Sequence, residues 1–124
     1  MTKNKTKVVA VAKKLGIEEN DLVYVGEGLW SAIVTITPEI AAEWLKYNQN
    51  NRTAKEFSIQ KISEDMNSNN WQFTHQGLAF GLDCELKDGQ NRLYSIINTK
   101  KAIKSLVFIG LSDAAKGVVD QNTA

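Results

Sequence analysis

The segment from Asp88 to Arg92, with the sequence DGQNR, has the residue types and order best suited to binding a phosphate group. It follows a stretch of alternating apolar residues, and it precedes Leu93, Ile96 and Ile97, which recur at helical spacing. The pattern predicts a strand, an Asp-Gly turn and then a helix that begins near Gln90. The first amides of a helix have no partner within the helix, and together with the helix dipole they attract anions.

The side chains of this segment add to the predicted anion site. Gly89 has no side chain, so a phosphate can approach its backbone, and Arg92 can donate two hydrogen bonds to phosphate oxygens. Gln90 and Asn91 supply amide donors, while Asp88 can either cap the helix or ligate a divalent metal beside the phosphate. The alternative is that Asp-Gly forms an ordinary turn and Arg92 pairs with a neighbour, since short motifs give many false positives.

Other residues with chemical potential carry weaker signals. Asn51 and Arg52, with His75 and Gln76, form a possible additional site in two polar stretches. His75 is the only histidine, so the sequence predicts no histidine-based metal site, and a turn histidine is the simpler interpretation. Cys84 has no His or Cys near it in sequence, which favours packing or a turn over a nucleophile. Whether the protein catalyses a reaction is left open; a general base would be a carboxylate such as Glu43, Asp83, Glu85 or Asp88.

The elements that would position these residues alternate between strands and helices. Residues 31–36 are β-branched and apolar, which predicts a strand; Thr37 and Pro38 then predict the capped start of a helix. A second helix is predicted from about Lys55 to Asn67.

The second half of the chain leaves one structural choice open. Residues 78–86 predict either one half-buried strand or a hairpin that turns between Gly81 and Cys84. A buried strand is predicted over residues 104–111, followed by a last helix that Ser112 caps.

Composition limits the classes of protein that this sequence can encode. The 124 residues carry a net charge of +1, which is too balanced to indicate nucleic-acid binding by itself. Two lysine groups, one in the first 14 residues and one at 100–104, are interpreted as solvated, although a local DNA-binding patch is an alternative. No apolar run reaches membrane-helix length, and a single cysteine cannot form an internal disulfide, so a cytoplasmic protein is expected.

Several motifs in order resemble a family common in phages and mobile elements, the ParB-like or sulfiredoxin-like proteins with a DGQHR box. They are Ile36-Thr37-Pro38-Glu39, Trp44-Leu45, Asn51-Arg52, Trp71, His75-Gln76-Gly77-Leu78-Ala79-Phe80, Asp88-Gly89-Gln90-Asn91-Arg92-Leu93 and Gly110-Leu111. The resemblance implies an α+β domain over residues 31–124, with a small mixed sheet and flanking helices, preceded by an N-terminal extension over residues 1–30. It also favours the hairpin over residues 78–86.

The same resemblance implies that the box binds nucleotide phosphates, since ParB proteins use CTP and sulfiredoxins use ATP. Gly89 and Arg92 match the glycine and the phosphate-contacting arginine of the family, so ATP or CTP with Mg²⁺ is the implied ligand. Asn91 replaces the histidine of the box and cannot shuttle a proton near neutral pH. Gln90 stands near the position of the sulfiredoxin cysteine, so peroxiredoxin repair is not expected.

Three functions follow from these observations, and the first is preferred. The first is binding of a nucleotide, with or without an NTP-dependent reaction. The second is non-enzymatic binding of a host or phage protein, such as inhibition of a host defence protein in the host-cell cytoplasm. The third is DNA binding through the lysine groups, which would make affinity fall steeply with salt.

Overall fold

The fold was analysed in a computed structural model, which describes residues 4–48, 56–68 and 77–112. These residues form four α-helices and five β-strands. In chain order they are α1 (Lys5–Leu15), β1 (Val23–Gly26), β2 (Leu29–Ile36), α2 (Pro38–Trp44), α3 (Glu56–Asn67), β3 (Gly77–Phe80), β4 (Leu86–Asp88), α4 (Gln90–Thr99) and β5 (Ile103–Ile109). Single 3₁₀ turns lie at Glu19–Asp21 and Leu45–Tyr47.

The five strands form one mixed sheet in the order β1-β2-β5-β3-β4. The central strand β5 pairs antiparallel with β2, where Trp30 lies opposite Ile109, and parallel with β3, where Leu78 lies opposite Val107. The hairpins β1–β2 and β3–β4 extend the sheet on its two sides. The protein is therefore an α+β domain with a mixed sheet and flanking helices, as predicted.

Alternation along the strands places one face of the sheet against the helices. Residues Ile103, Ser105, Val107 and Ile109 of β5 are buried, whereas Lys104 between them is exposed. The buried strand residues join Val8, Val11 and Leu15 of α1 and Trp44 of α2 in one core. The indole N–H of Trp44 donates to the carbonyl oxygen of Leu15 at 3.1 Å, which ties α2 to the end of α1.

Within residues 4–30, α1, β1 and the start of β2 contribute side chains or strands to this core and sheet. β2 begins at Leu29, so the expected boundary between residues 30 and 31 falls inside a strand. α1 starts at Lys5, three residues before the apolar run that begins at Val8, and ends at Leu15, followed by Gly16 as a C-cap with a left-handed φ of 78°. Within the described residues, no helix combines the length and the apolar character that a membrane crossing would require.

Most predicted elements of the described residues are present with shifted ends. Thr37 caps α2, since its Oγ1 accepts a hydrogen bond from the backbone N–H of Ile40 at 3.2 Å, and Pro38 lies in the first turn. Residues 78–86 form the hairpin, because the backbone reverses between Gly81 and Cys84 and the amide of Gly81 bonds to the carbonyl oxygen of Glu85. The helix predicted after Ser112 lies outside the described residues.

Candidate phosphate site at the start of α4

The predicted strand-turn-helix is present, with β4 ending at Asp88 and α4 beginning at Gln90. Gly89 is the N-cap residue, with a φ of 104°, a left-handed conformation that L side chains rarely adopt. A glycine cap has no side chain to accept a hydrogen bond from the first helical amides, and no acidic residue lies in the first turn. The helix is ten residues long, so its amides point towards this end along three turns of aligned dipoles.

Gly89 is also held close to the sheet. A Cβ atom added at Gly89 would lie 2.8 Å from Cγ of Leu78 and 3.2 Å from its Cα. Leu78 is fully buried in β3 and cannot move away easily. Two independent constraints, the backbone angle and the contact with Leu78, therefore keep this cap free of a side chain.

Arg92 lies in the first turn of α4 and turns back towards β3. Its Nη1 donates to the carbonyl oxygen of Gly77 at 3.1 Å. Burial lowers the pKa of the Arg92 guanidinium, and the nearby carboxylate of Asp88 acts in the opposite direction. A guanidinium stays protonated under such conditions, so Arg92 places a positive charge beneath the helix start. It also connects α4 to the sheet.

Two other contacts fix the first turn of α4. Nδ2 of Asn48, which follows the helical segment after β2, donates to Oε1 of Gln90 at 2.9 Å. Oγ of Ser95 lies 2.9 Å from the carbonyl oxygen of Asn91 within the helix and 3.0 Å from that of Ile59 in α3, and its single proton is shared between these two acceptors. The turn is thus held from α3 and from the end of α2, and nothing in the local sequence indicates the contact between Asn48 and Gln90.

The described residues bring no other predicted site residue under test, and they contain no metal cluster. Asn51, Arg52, His75 and Gln76 lie outside the described residues. The described part of the chain contains no group of three or more His, Cys, Asp and Glu side chains that could hold a metal ion. Two surface cavities, of about 240 and 270 Å³, lie beside α1 and are not lined by residues 88–92.

The β3–β4 hairpin contains a charged cluster that the sequence did not indicate. Lys87 is only 5% exposed, and its Nζ donates to Asp83 at 3.0 Å and to Glu85 at 3.1 Å. Partial burial raises the pKa of Asp83, but the backbone amide of Glu85 and the ammonium of Lys87 outweigh it and hold the pKa below its ordinary value. This arrangement keeps Asp83 ionised, which makes it a weak general base and a structural partner of Lys87.

Cys84 lies in the same hairpin and is buried with a left-handed φ of 63°. Burial raises the pKa of its thiol, with the charge of Lys14 opposing and that of Asp83 reinforcing the shift. A thiol with a raised pKa is a poor nucleophile. The position agrees with the packing-or-turn interpretation.

The described lysines of the N-terminal group and of the group at residues 100–104 make different contacts. Nζ of Lys5 lies 3.9 Å from Oε2 of Glu19. Lys13 and Lys14 occupy the last turn of α1, where positive charge complements the helix dipole. Nζ of Lys101 donates to the carbonyl oxygen of Met66. DNA binding by these residues stays a prediction, as does binding to a host or phage protein.

Comparisons with protein-family models, curated proteins and solved structures found no match to this chain. The ParB/sulfiredoxin-like assignment therefore stays a prediction.

Proposed function

We propose that the start of α4 binds the phosphate groups of a nucleotide, ATP or CTP with Mg²⁺, in a ParB/sulfiredoxin-like domain. The observation that carries the proposal is the left-handed, side-chain-free cap Gly89 at the head of a ten-residue helix with no acid in its first turn. Such an end offers backbone amides and a positive dipole to an anion. The buried guanidinium of Arg92 adds positive charge beneath the same turn.

Asp88 fits the magnesium ion that such a ligand would bring. Mg²⁺ in nucleotide sites is typically held by one or two carboxylates together with the phosphates, and not by an all-protein cage. The exposed Asp88 supplies one carboxylate directly before Gly89. When bound, the ion would offset the repulsion between this carboxylate and the phosphates.

Asn91→Asp is the sharpest test of the site, because it separates binding from stability. A carboxylate in the first turn of α4 repels phosphate, yet it stabilises the helix end by about 0.3–1 kcal/mol. We expect wild type to bind MgATP or MgCTP below millimolar concentration in calorimetric titration. The variant should lose about 1.5–3 kcal/mol of binding free energy, the scale of a charged hydrogen bond.

Asn98→Asp is the matched control for that test. It makes the same chemical change at an exposed position in the last turn of α4. The new carboxylate there is far from the proposed phosphate site, and it slightly destabilises the helix because it opposes the dipole. Arg92→Ala is less informative, since it also removes the bond to Gly77 that joins α4 to β3. A folded wild-type protein that binds neither nucleotide nor pyrophosphate at millimolar concentration would refute the proposal.

Asp88→Asn tests the role assigned to the carboxylate. Removing its charge should tighten binding of metal-free pyrophosphate and weaken the gain that Mg²⁺ gives to ATP or CTP. Titrations with and without Mg²⁺ measure both changes in one variant. If Mg²⁺ enhances binding equally in both proteins, Asp88 is not a ligand of the ion.

A further inference from the structure

The sheet has a second face, which does not contribute to the core. The register places Ser31 opposite Phe108, Ile33 opposite Leu106 and Thr35 opposite Lys104, all pointing away from the buried residues of β5. Val23 extends this row on β1, because it pairs with Ser31. We call this set the outer face: Val23, Val25, Ser31, Ile33, Thr35, Lys104, Leu106 and Phe108.

The outer face is largely apolar and strongly exposed on its β1–β2 side. Val23, Val25 and Ile33 are 63%, 57% and 56% exposed, which is unusual for side chains of this type on neighbouring strands. Leu106 and Phe108 continue the patch on β5 and do not belong to the hydrophobic core. A contiguous exposed apolar patch marks an interaction surface, whereas single exposed residues do not.

The free edge beside this patch is poorly suited to strand addition. β1 has only four residues, and its register shifts between Tyr24 and Gly26, an irregularity that disrupts the ladder. Short, bulged edge strands prevent pairing with another strand. A partner of this region would therefore pack onto the face.

Opposite charges flank the outer face. Asp88 pairs with Ala79, which pairs with Phe108, so Asp88 points to the same side as the patch. Lys104 lies on this side at the other end of β5. With about 4.8 Å between strands and about 3.3 Å per residue, the two charges lie about 16 Å apart with apolar side chains between them.

This pattern is complementary to itself. A two-fold axis repeats each contact, so one rotation can place Lys104 opposite Asp88 of the partner subunit and Asp88 opposite the partner's Lys104. The net charge of +1 causes little repulsion between two copies. We propose that the outer face packs against the outer face of a second copy of this chain, forming a two-fold symmetric dimer.

The proposal fixes the position of the axis. If Lys104 faces Asp88 of the partner subunit, the two-fold axis lies in the plane between the two sheets. It crosses the line from Lys104 to Asp88 at its midpoint and at a right angle. On a flat sheet of the above spacing it passes over Ser31, and it brings Ile33 against the partner's Phe108. Ser31 would therefore meet its own copy, whereas Thr35 would lie roughly 20 Å from its copy.

Engineered cysteines test this geometry directly. Ser31→Cys should form an intermolecular disulfide under mild oxidation, seen as a dimer on a non-reducing gel. Thr35→Cys, on the same strand and face, should stay monomeric on that gel. Wild type, in which Cys84 is buried, gives the background level of disulfide-linked dimer on the gel. Equal cross-linking of both variants would overturn the proposed arrangement.

The mass of the protein in solution tests the dimer itself. Sedimentation equilibrium from micromolar to millimolar concentration should show wild type passing from monomer to dimer. Ile33→Asp should weaken association on the order of tenfold or more, because it buries an unpaired charge in the interface. The exposed position of Ile33 in the monomer should leave its circular dichroism unchanged.

Phe57→Asp provides the matched control for the mass measurement. Phe57 is 80% exposed on α3, away from the outer face, so this variant should associate like wild type. Three results would overturn the proposal: a wild-type monomer throughout, dimerisation that Ile33→Asp leaves unchanged, or a monomer that uses the face for a different protein. None of these results requires a nucleotide, so the two proposals fail separately, although Asp88 takes part in both and Mg²⁺ bound there would compete with Lys104 of the partner subunit for its carboxylate.

Discussion

Helices α2 and α4 both begin within two residues of the end of a strand, but their first turns differ. At α2, Thr37 has an extended backbone and its hydroxyl accepts a hydrogen bond from the amide of Ile40. Pro38 removes one of the free amides, and Glu39 places a negative charge in the first turn. At α4, Gly89 supplies neither a cap nor a charge, and its φ is positive.

This difference is the basis of the phosphate site proposed at the start of α4. At the start of α2, Thr37 caps the amide of Ile40, Pro38 has no N–H and Glu39 compensates the dipole, so residues adjacent in sequence fill these roles. At α4 the cap Gly89 makes no side-chain hydrogen bond and the first turn has no acidic residue, while Leu78 prevents any side chain at the cap. A phosphate would do at α4 what Thr37 and Glu39 do at α2.

Gly89→Ala should have the largest effect of any single change at these two helix ends. The left-handed backbone costs a residue with Cβ about 1–2 kcal/mol, and the contact with Leu78 adds overpacking of about 1–3 kcal/mol. We expect the free energy of unfolding to fall by about 3 kcal/mol, measured by urea denaturation.

Gly16→Ala separates the two causes of that loss. Gly16 ends α1 with a φ of 78°, but an added Cβ would have no atom within 4 Å. This variant should lose only the conformational part, about 1–2 kcal/mol. Equal losses at Gly16 and Gly89 would show that Leu78 yields, and that the α4 cap is kept open by backbone conformation alone.

Thr37→Ala should have an intermediate effect. It leaves the amide of Ile40 without its cap, and loss of an N-cap costs about 1 kcal/mol. Thr37→Ser keeps the hydroxyl and should restore most of the stability. Calorimetric titration of both variants should give wild-type phosphate affinity, since this helix end holds no ligand. If Thr37→Ala created a second phosphate site, capping alone would decide where anions bind.

The sequence predicted α2 and α4 well because their signals are local. The adjacent residues Thr37 and Pro38 are enough to predict the start of α2. The apolar spacing of Leu93, Ile96 and Ile97 likewise predicts the buried face of α4. Strand ends were less accurate: β5 ends at Ile109, not at 111, since a strand ends where its pairing ends and pairing is set by distant residues.

The tertiary contacts of the site could not be predicted for the same reason. The bond from Asn48 to Gln90 joins residues 42 apart, and that from Arg92 to Gly77 joins residues 15 apart. Burial of Lys87 between Asp83 and Glu85 also contradicts the usual exposure of lysine. The contacts of Gly77 and of Lys87 involve the β3–β4 hairpin, which the alternation of residues 78–86 left undecided.

Glu39→Gln should have the smallest effect, and it tests the electrostatic part of the comparison. Loss of a negative charge from the first turn of α2 should lower the free energy of unfolding by about 0.5 kcal/mol, and high salt should abolish the difference. Glu43→Gln removes the same charge from the last turn of α2, where it opposes the dipole. Its exposed ion pair with Lys46 adds little stability, so we expect almost no change in the free energy of unfolding.

If Glu39→Gln also leaves the free energy of unfolding unchanged at low salt, the dipole contributes nothing measurable at α2. Phosphate binding at α4 would then have to rely on direct hydrogen bonds from the backbone and Arg92, and Asn91→Asp would lose affinity without gaining stability.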